Sequence, residues 1–126
     1  MVEKEDKLDV LFRMQAGLDA YIREKRGLEF TKSEWVCKKA LALIVELGEV
    51  VEEAKYKWWK NDSEIDESKL KEEIVDVLHF FLGMAIDSGM TADELFEIYL
   101  KKNKENYDRQ NGLSAKKGYE LSDKKD

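Results

Sequence analysis

Two acidic pairs with the same spacing, Glu46-x-x-Glu49 and Glu73-x-x-Asp76, stand inside otherwise apolar helical patterns. Residues three apart on a helix share a face, so each pair offers two carboxylates side by side. Between the pairs the polar run Lys60-Asn61-Asp62-Ser63-Glu64 breaks the apolar pattern and reads as a turn. If the chain folds back near Asn61 as an antiparallel helical hairpin, Glu46 lies as far from the turn as Asp76, and Glu49 as far as Glu73. Four carboxylates then meet at one level. Left alone, such a cluster repels itself at low effective dielectric. Its chemistry is that of a site for a hard divalent cation such as Mg²⁺, which takes oxygen ligands.

The elements that must position this cluster follow from periodicity. A first helix is expected over residues 5 to 25, with Leu8, Leu11, Phe12, Leu18 and Ile22 forming an amphipathic stripe. Gln15 falls within that stripe. Its amide either bonds a buried polar neighbour, points into a pocket, or sits at a partly exposed edge. Gly27 ends the helix, and Thr31-x-x-Glu34 has the capping-box pattern that starts the next. The second helix is expected to be long, carrying an apolar row from Trp35 through Ala54 and closing with Lys57-Trp58-Trp59-Lys60. Glu46 intrudes on that row, where an isolated carboxylate is costly. Cys37 reads as a small buried hydrophobe, and Glu52 and Glu53 as a solvated flank. Adjacent tryptophans on a helix point roughly 100° apart. Either both cover the bundle end, or one stacks on a planar ligand while a lysine meets its charge.

A third helix begins between Asp66 and Lys69 and runs to about Asp87, with Leu70, Ile74, Val77, Leu78, Phe81, Leu82 and Ala85 inward. His79, the only histidine, stands one turn beyond Asp76, as an ordinary boundary residue or as a ligand contact. Thr91-x-x-Glu94 suggests another helix start, and a fourth helix should reach about Arg109 with Lys101, Lys102 and Lys104 in its basic last turns. Basic last turns complement the helix dipole and also suit phosphates. From about residue 112 to 126 the chain reads as a loop with a frayed charged end, Asp123-Lys124-Lys125-Asp126.

The composition agrees with these elements. A chain of 126 residues, 43% hydrophobic and 40% charged, with no proline, is expected to form one all-α domain, a four-to-five-helix bundle. A net charge of −6 argues against general affinity for nucleic acid or anionic membranes. No apolar run approaches the roughly 20 residues that span a bilayer, and Met1-Val2-Glu3-Lys4-Glu5-Asp6 lacks a signal-peptide core. A lone cysteine fits a reducing compartment, so a cytoplasmic protein is expected. A short helical chain with three tryptophans is expected to bury an apolar face against a second copy, as a two-fold homodimer.

Five ordered motifs resemble one family. Met14-Gln15-x-x-Leu18-Asp19, Ala42 to Glu49, Lys57-Trp58-Trp59, Glu73 to Phe80, and Lys102-Asn103-x-x-Asn106-x-x-Arg109-Gln110 followed by Gly118-Tyr119 are similar to the dimeric dUTPases of the compact bacterial and phage type. These are all-α nucleoside triphosphate pyrophosphatases, a group that includes the MazG-like enzymes. The resemblance implies that Glu46, Glu49, Glu73 and Asp76 bind two or more Mg²⁺ ions that hold a triphosphate. It implies that Gln15, His79 and Trp58 or Trp59 line a uracil pocket, and that Lys57, Lys60, Lys102, Asn106 and Arg109 meet phosphates or sugar, with Tyr119 closing the site. Asp19 departs from the asparagine of many relatives; it can accept from a ring N–H or a sugar hydroxyl, but is a poorer partner for a uracil carbonyl.

The activity so implied is hydrolysis of dUTP, and of dUDP, by attack at the β-phosphorus, with Glu46 or Glu49 as general base. Two rival expectations remain. One is a MazG-like pyrophosphatase for dCTP or a damaged nucleotide; the other is a non-catalytic helical binding module.

Overall fold

The structure is a computed structural model that describes residues 4–121. Among these residues it is all-α, with α1 Lys7–Arg26, α2 Lys32–Glu53, α3 Glu67–Asp87 and α4 Ala92–Gln110. The chain forms two compact units, Met1–Thr91 and Ala92–Asp126. Among the described residues no single helix is long and apolar enough to cross a membrane. The charged end expected at Asp123–Asp126 lies outside the described residues.

Side chains set the helix starts in the first unit. Asp6 accepts from the Asp9 N–H at 2.9 Å while Asp9 accepts from the Asp6 N–H at 3.1 Å, a reciprocal cap that places the start of α1 at Lys7. Thr31 accepts from the Glu34 N–H, and Asp66 from the Lys69 N–H, at the heads of α2 and α3. Gly27 ends α1 in the left-handed conformation, where glycine lacks the Cβ that makes this region costly.

Helices α2 and α3 pack against each other as a hairpin, and α1 packs on α3. Phe12 on α1 and Leu82 and Ala85 on α3 are buried. Much of the apolar surface stays open: Leu41, Ile44 and Val45 on α2 are each about 60% exposed.

Two expectations about α2 are corrected. The helix stops at Glu53 rather than continuing through Lys60, because Lys55 takes a left-handed backbone (φ 59°). Trp58 and Trp59 therefore belong to the connection between α2 and α3. Cys37 is exposed, because it lies on the α2 face shared with Leu41 and Ile44 rather than on the row of Val36, Ala40 and Leu43 that meets the bundle.

Candidate functional site

The hairpin brings carboxylates together as the spacing implied. Oxygens of Glu46, Glu49 and Glu73 all lie within 4.8 Å of one another, two of the residues half-buried and Glu49 exposed. Asp76 is exposed and not part of that tight group, yet its charge is close enough to act on both Glu46 and Glu73. Each raised proton affinity has its own cause. Burial, then the charges of Glu49 and Asp76, pushes Glu46 above the usual carboxylate range. For Glu73 the main cause is the Glu49 carboxyl, close enough to share a proton, followed by burial and the neighbouring charges. Glu73 Oε2 is also buried with no hydrogen-bond partner. A partnerless buried oxygen among mutually repelling carboxylates is a donor set that fits a hard divalent cation.

One turn along α3 from Asp76, a groove of about 330 Å³ opens between α1 and α3. Its walls are apolar, from Leu11, Met14, Leu18, Val75, Leu78 and Leu82, and its polar groups are Gln15 and His79. Few placed polar groups on apolar walls are what a planar heterocycle needs. Gln15 is buried, and its Oε1 lies 2.8 Å from His79 Nδ1. Its Nε2 donates to Asp19 Oδ1 at 3.0 Å. Asp19 itself turns to the interior, where Lys39 Nζ donates to its Oδ2 at 2.6 Å.

Residues 7–94 match the family model of the dUTPases. The chain belongs to the dUTPase family. It is similar to the dCTP pyrophosphatase of Enterobacteria phage T4, 47% identical over 45 residues that cover 36% of this chain and 26% of the relative. The dCTP pyrophosphatase of Enterobacteria phage LZ5 is 44% identical over the same shares. A DNA replication protein of phage T4 is 46% identical over 39 residues, 31% of this chain and 10% of the relative. The match thus spans about a quarter of the length of the two pyrophosphatases. No solved structure matches.

The remaining residues implied by the dUTPase motifs divide between the two units. In the first, Trp58 is 84% exposed and meets Trp59 edge to face, with ring centroids 4.6 Å apart, while Tyr56 packs on Trp59 at 5.9 Å. Lys57 is 3.5 Å from Glu52, and Lys57 and Lys60 line a depression of about 250 Å³ with Tyr56 and Asn61. Glu53, read as a solvated flank, instead reaches across the hairpin to Lys69 at 3.5 Å.

In the second unit, Lys102, Asn106 and Arg109 recur at helical spacing along one face of α4, the first two exposed. The segment after α4 folds back on it. Arg109 lies 5.5 Å from the centre of the Tyr119 ring and pairs with Glu105 at 3.0 Å. The Ser114 hydroxyl donates to Glu105 at 2.6 Å; this bond first, and Arg109 second, holds Glu105 below the usual carboxylate range. Arg109 and Tyr119 are therefore neighbours despite the seven-residue stretch from Asn111 to Lys117.

Sequence reasoning missed Lys39, Arg23 and Asp87. Lys39 pairs with Asp87 Oδ2 at 2.6 Å as well as with Asp19, and Arg23 reaches Asp87 Oδ1 at 2.5 Å while stacking on Trp35 at 4.0 Å. A signal was present. Lys39 sits on the buried row of α2 beside Val36, Ala40 and Leu43, and a lysine there needs a carboxylate.

Proposed function

We propose that the chain is a Mg²⁺-dependent pyrophosphatase that hydrolyses dUTP to dUMP and pyrophosphate, and dUDP to dUMP and phosphate. The observation that carries this reading is the pairing of two features on α3: a carboxylate cluster at Glu73, and an apolar groove with two polar readers that begins beside Asp76. A metal cluster alone would suit many reactions. A groove for a flat ring next to it selects nucleotides.

Glu46, Glu49, Glu73 and Asp76 would hold the metal ions. When bound, these ions neutralise phosphate oxygens and acidify water. The chain's own groups do the rest. Glu46 and Glu49, whichever oxygen is left free, can accept the proton of the attacking water. Gln15 and His79 orient the base in the groove, and an exposed tryptophan of the α2–α3 connection supplies a stacking face. The resemblance gives the phosphate or sugar contacts to Lys57 and Lys60 in the first unit and, in the second, to Lys102, Asn106 and Arg109 of α4 with Tyr119 in the segment after it. Water adds across one phosphoanhydride bond, so no redox partner is needed. Attack at the β-phosphorus, the course implied by the resemblance, predicts that ¹⁸O from solvent enters pyrophosphate rather than dUMP.

A homodimer is the expected assembly. Cys37, Leu41, Ile44, Gly48 and Val51 recur along one exposed face of α2, an apolar stripe with a glycine that permits close approach. The cytoplasmic nucleotide pool would supply the substrate.

A second reading, dCTP as the main substrate, is favoured by the two relatives named dCTP pyrophosphatases. Pyrophosphate and phosphate release from each dNTP and dNDP, with and without Mg²⁺, tests both. Release from dUTP and dUDP alone supports the first. Faster release from dCTP selects the second, and no release from any nucleotide leaves the non-catalytic binding module.

A further inference from the structure

We propose that Lys39 and Asp19 act as a lock that fixes which way the Gln15 amide faces, and thereby which pyrimidine base the groove accepts. This rests on reading the groove as a base pocket. Neither residue lines the groove, so both are positioning residues.

The direction of every hydrogen bond follows from the buried ammonium. Lys39 can only donate, and it is held between Asp19 on α1 and Asp87 at the end of α3, each at 2.6 Å. The side chains of all three are at most 14% exposed. Arg23 adds a second cation on Asp87. Asp19, ion-paired in this way, is a carboxylate and can only accept, so it must face the amide nitrogen of Gln15 rather than the oxygen. The Gln15 oxygen is thereby turned to His79 Nδ1. An amide oxygen only accepts, so Nδ1 carries a proton, which among the two neutral tautomers leaves Nε2 as the acceptor. One cation thus sets the polarity of a chain of donors and acceptors that ends at the groove.

After these bonds Gln15 keeps one N–H and one oxygen lone pair. Uracil and cytosine have the same outline but opposite polarity on the edge such an amide can reach. Uracil places a carbonyl beside a ring N–H, and cytosine an amino group beside a bare ring nitrogen. A free glutamine serves either base by turning its amide over. A locked one serves a single base, because the other sets donor against donor and acceptor against acceptor at the buried Gln15 amide. The structure therefore assigns this chain selectivity between two nucleotides that its apolar walls cannot distinguish.

Asp19→Asn is the decisive variant, since it changes polarity without changing shape. Lys39 keeps the carbonyl oxygen of the new side chain, whose amide nitrogen then faces Gln15. Gln15 must answer with its oxygen, its nitrogen turns to His79, and the imidazole proton moves to Nε2. Two measurements on the full chain read this. In protein labelled with ¹⁵N, His79 should be the Nδ1–H tautomer in the native chain and the Nε2–H tautomer in the variant. In parallel, the ratio of kcat/KM for dUTP and dCTP should move by at least about tenfold toward the base disfavoured by the native protein, mainly through KM. Lys39→Met, which frees Asp19, should bring the ratio toward one. A native His79 protonated on Nε2 overturns the lock without any variant. So does a ratio that stays constant while both activities fall, the result expected of a merely structural pair. A native protein that turns over neither nucleotide defeats the proposed function and the selectivity with it, while the His79 tautomer still decides the amide's orientation.

Discussion

Lys39 crosses the face of Gly83: a Cβ built on that glycine would stand 2.9 Å from both Cδ and Nζ of the lysine. Elsewhere such a contact is relieved when the flexible end of a lysine swings away. Here Nζ is pinned by two carboxylates, so the chain has nowhere to go. Gly83→Ala should therefore destabilise the protein by about 1–2 kcal/mol, overpacking outweighing the gain in helix propensity of about 1 kcal/mol. Gly17, in α1 with nothing within 4 Å, provides the contrast: Gly17→Ala should stabilise by up to about 1 kcal/mol. Urea midpoints of the two variants check both signs.

Glu49 is the exposed member of the carboxylate group, so it can be changed at little cost to the fold. Glu49→Ala should lower turnover on the order of a hundredfold or more, since losing several kcal/mol of charge stabilisation costs a decade per 1.36 kcal/mol. It should also weaken Mg²⁺ binding in calorimetric titration. The metal-free variant should unfold no earlier than the native chain, because a source of repulsion has gone. Undiminished turnover would remove the metal-site reading.

The same repulsion gives a pH dependence whose sign is fixed. Glu46 and Glu73 hold their protons more tightly in the folded chain than in the unfolded one. Between the ordinary carboxylate range and their raised values the folded state binds more protons, so stability falls as pH rises through that window. Metal-free protein should therefore gain thermal stability from these two groups as pH falls through that window. Saturating Mg²⁺ should flatten the effect, since it replaces the protons as the neutralising charge. Melting curves across this range, with Mg²⁺ and with a chelator, check it.

The exposed tryptophans offer a test that separates binding from folding. Trp59 is 61% exposed and touches Tyr56 and Trp58 edge to face. Trp59→Ala should change stability by no more than about 0.5–1 kcal/mol. If the indole stacks on the base, KM for dUTP should rise severalfold with kcat little changed, and nucleotide should quench the native tryptophan fluorescence. A kcat loss at unchanged KM would remove the stacking role.

The clustering of Glu46, Glu49 and Glu73 was legible because its signal is local: three-residue spacing on each helix, and similar distance from one turn. Gln15 and His79, the polar groups of the groove, showed themselves on or beside an apolar row. The end of α2 was not legible, because Tyr56, Trp58 and Trp59 continue an apolar count that no glycine or proline interrupts, and the break falls on Lys55 in a conformation no residue type announced. The lock behind Gln15 was hidden for another reason. Its members are joined across separations of 20 and 64 residues, which no periodicity encodes. Asp19 could be flagged as unusual, but its cation could be found only in three dimensions.

Cys37 has the pattern of a core residue yet is exposed, and the reason bears on assembly. An apolar residue on α2 can face the bundle or a second copy, and a helical row of Cys37, Leu41, Ile44 and Val51 looks the same in either case. In the structure these residues are exposed, and Gly48 in their midst has nothing of its own chain within 4 Å. If the stripe is the two-fold contact, Ile44→Glu should place like charges in a buried interface and convert the dimer to monomer in sedimentation at micromolar concentration. Gly48→Leu should do the same by holding the helices apart, although a glycine replaced within an isolated helix would otherwise gain propensity. Opposite signs are thus expected for one substitution in two assemblies: helix content unchanged or higher, dimer lost. A native chain that sediments as a monomer, or an Ile44→Glu variant that stays dimeric, would move the contact off this face.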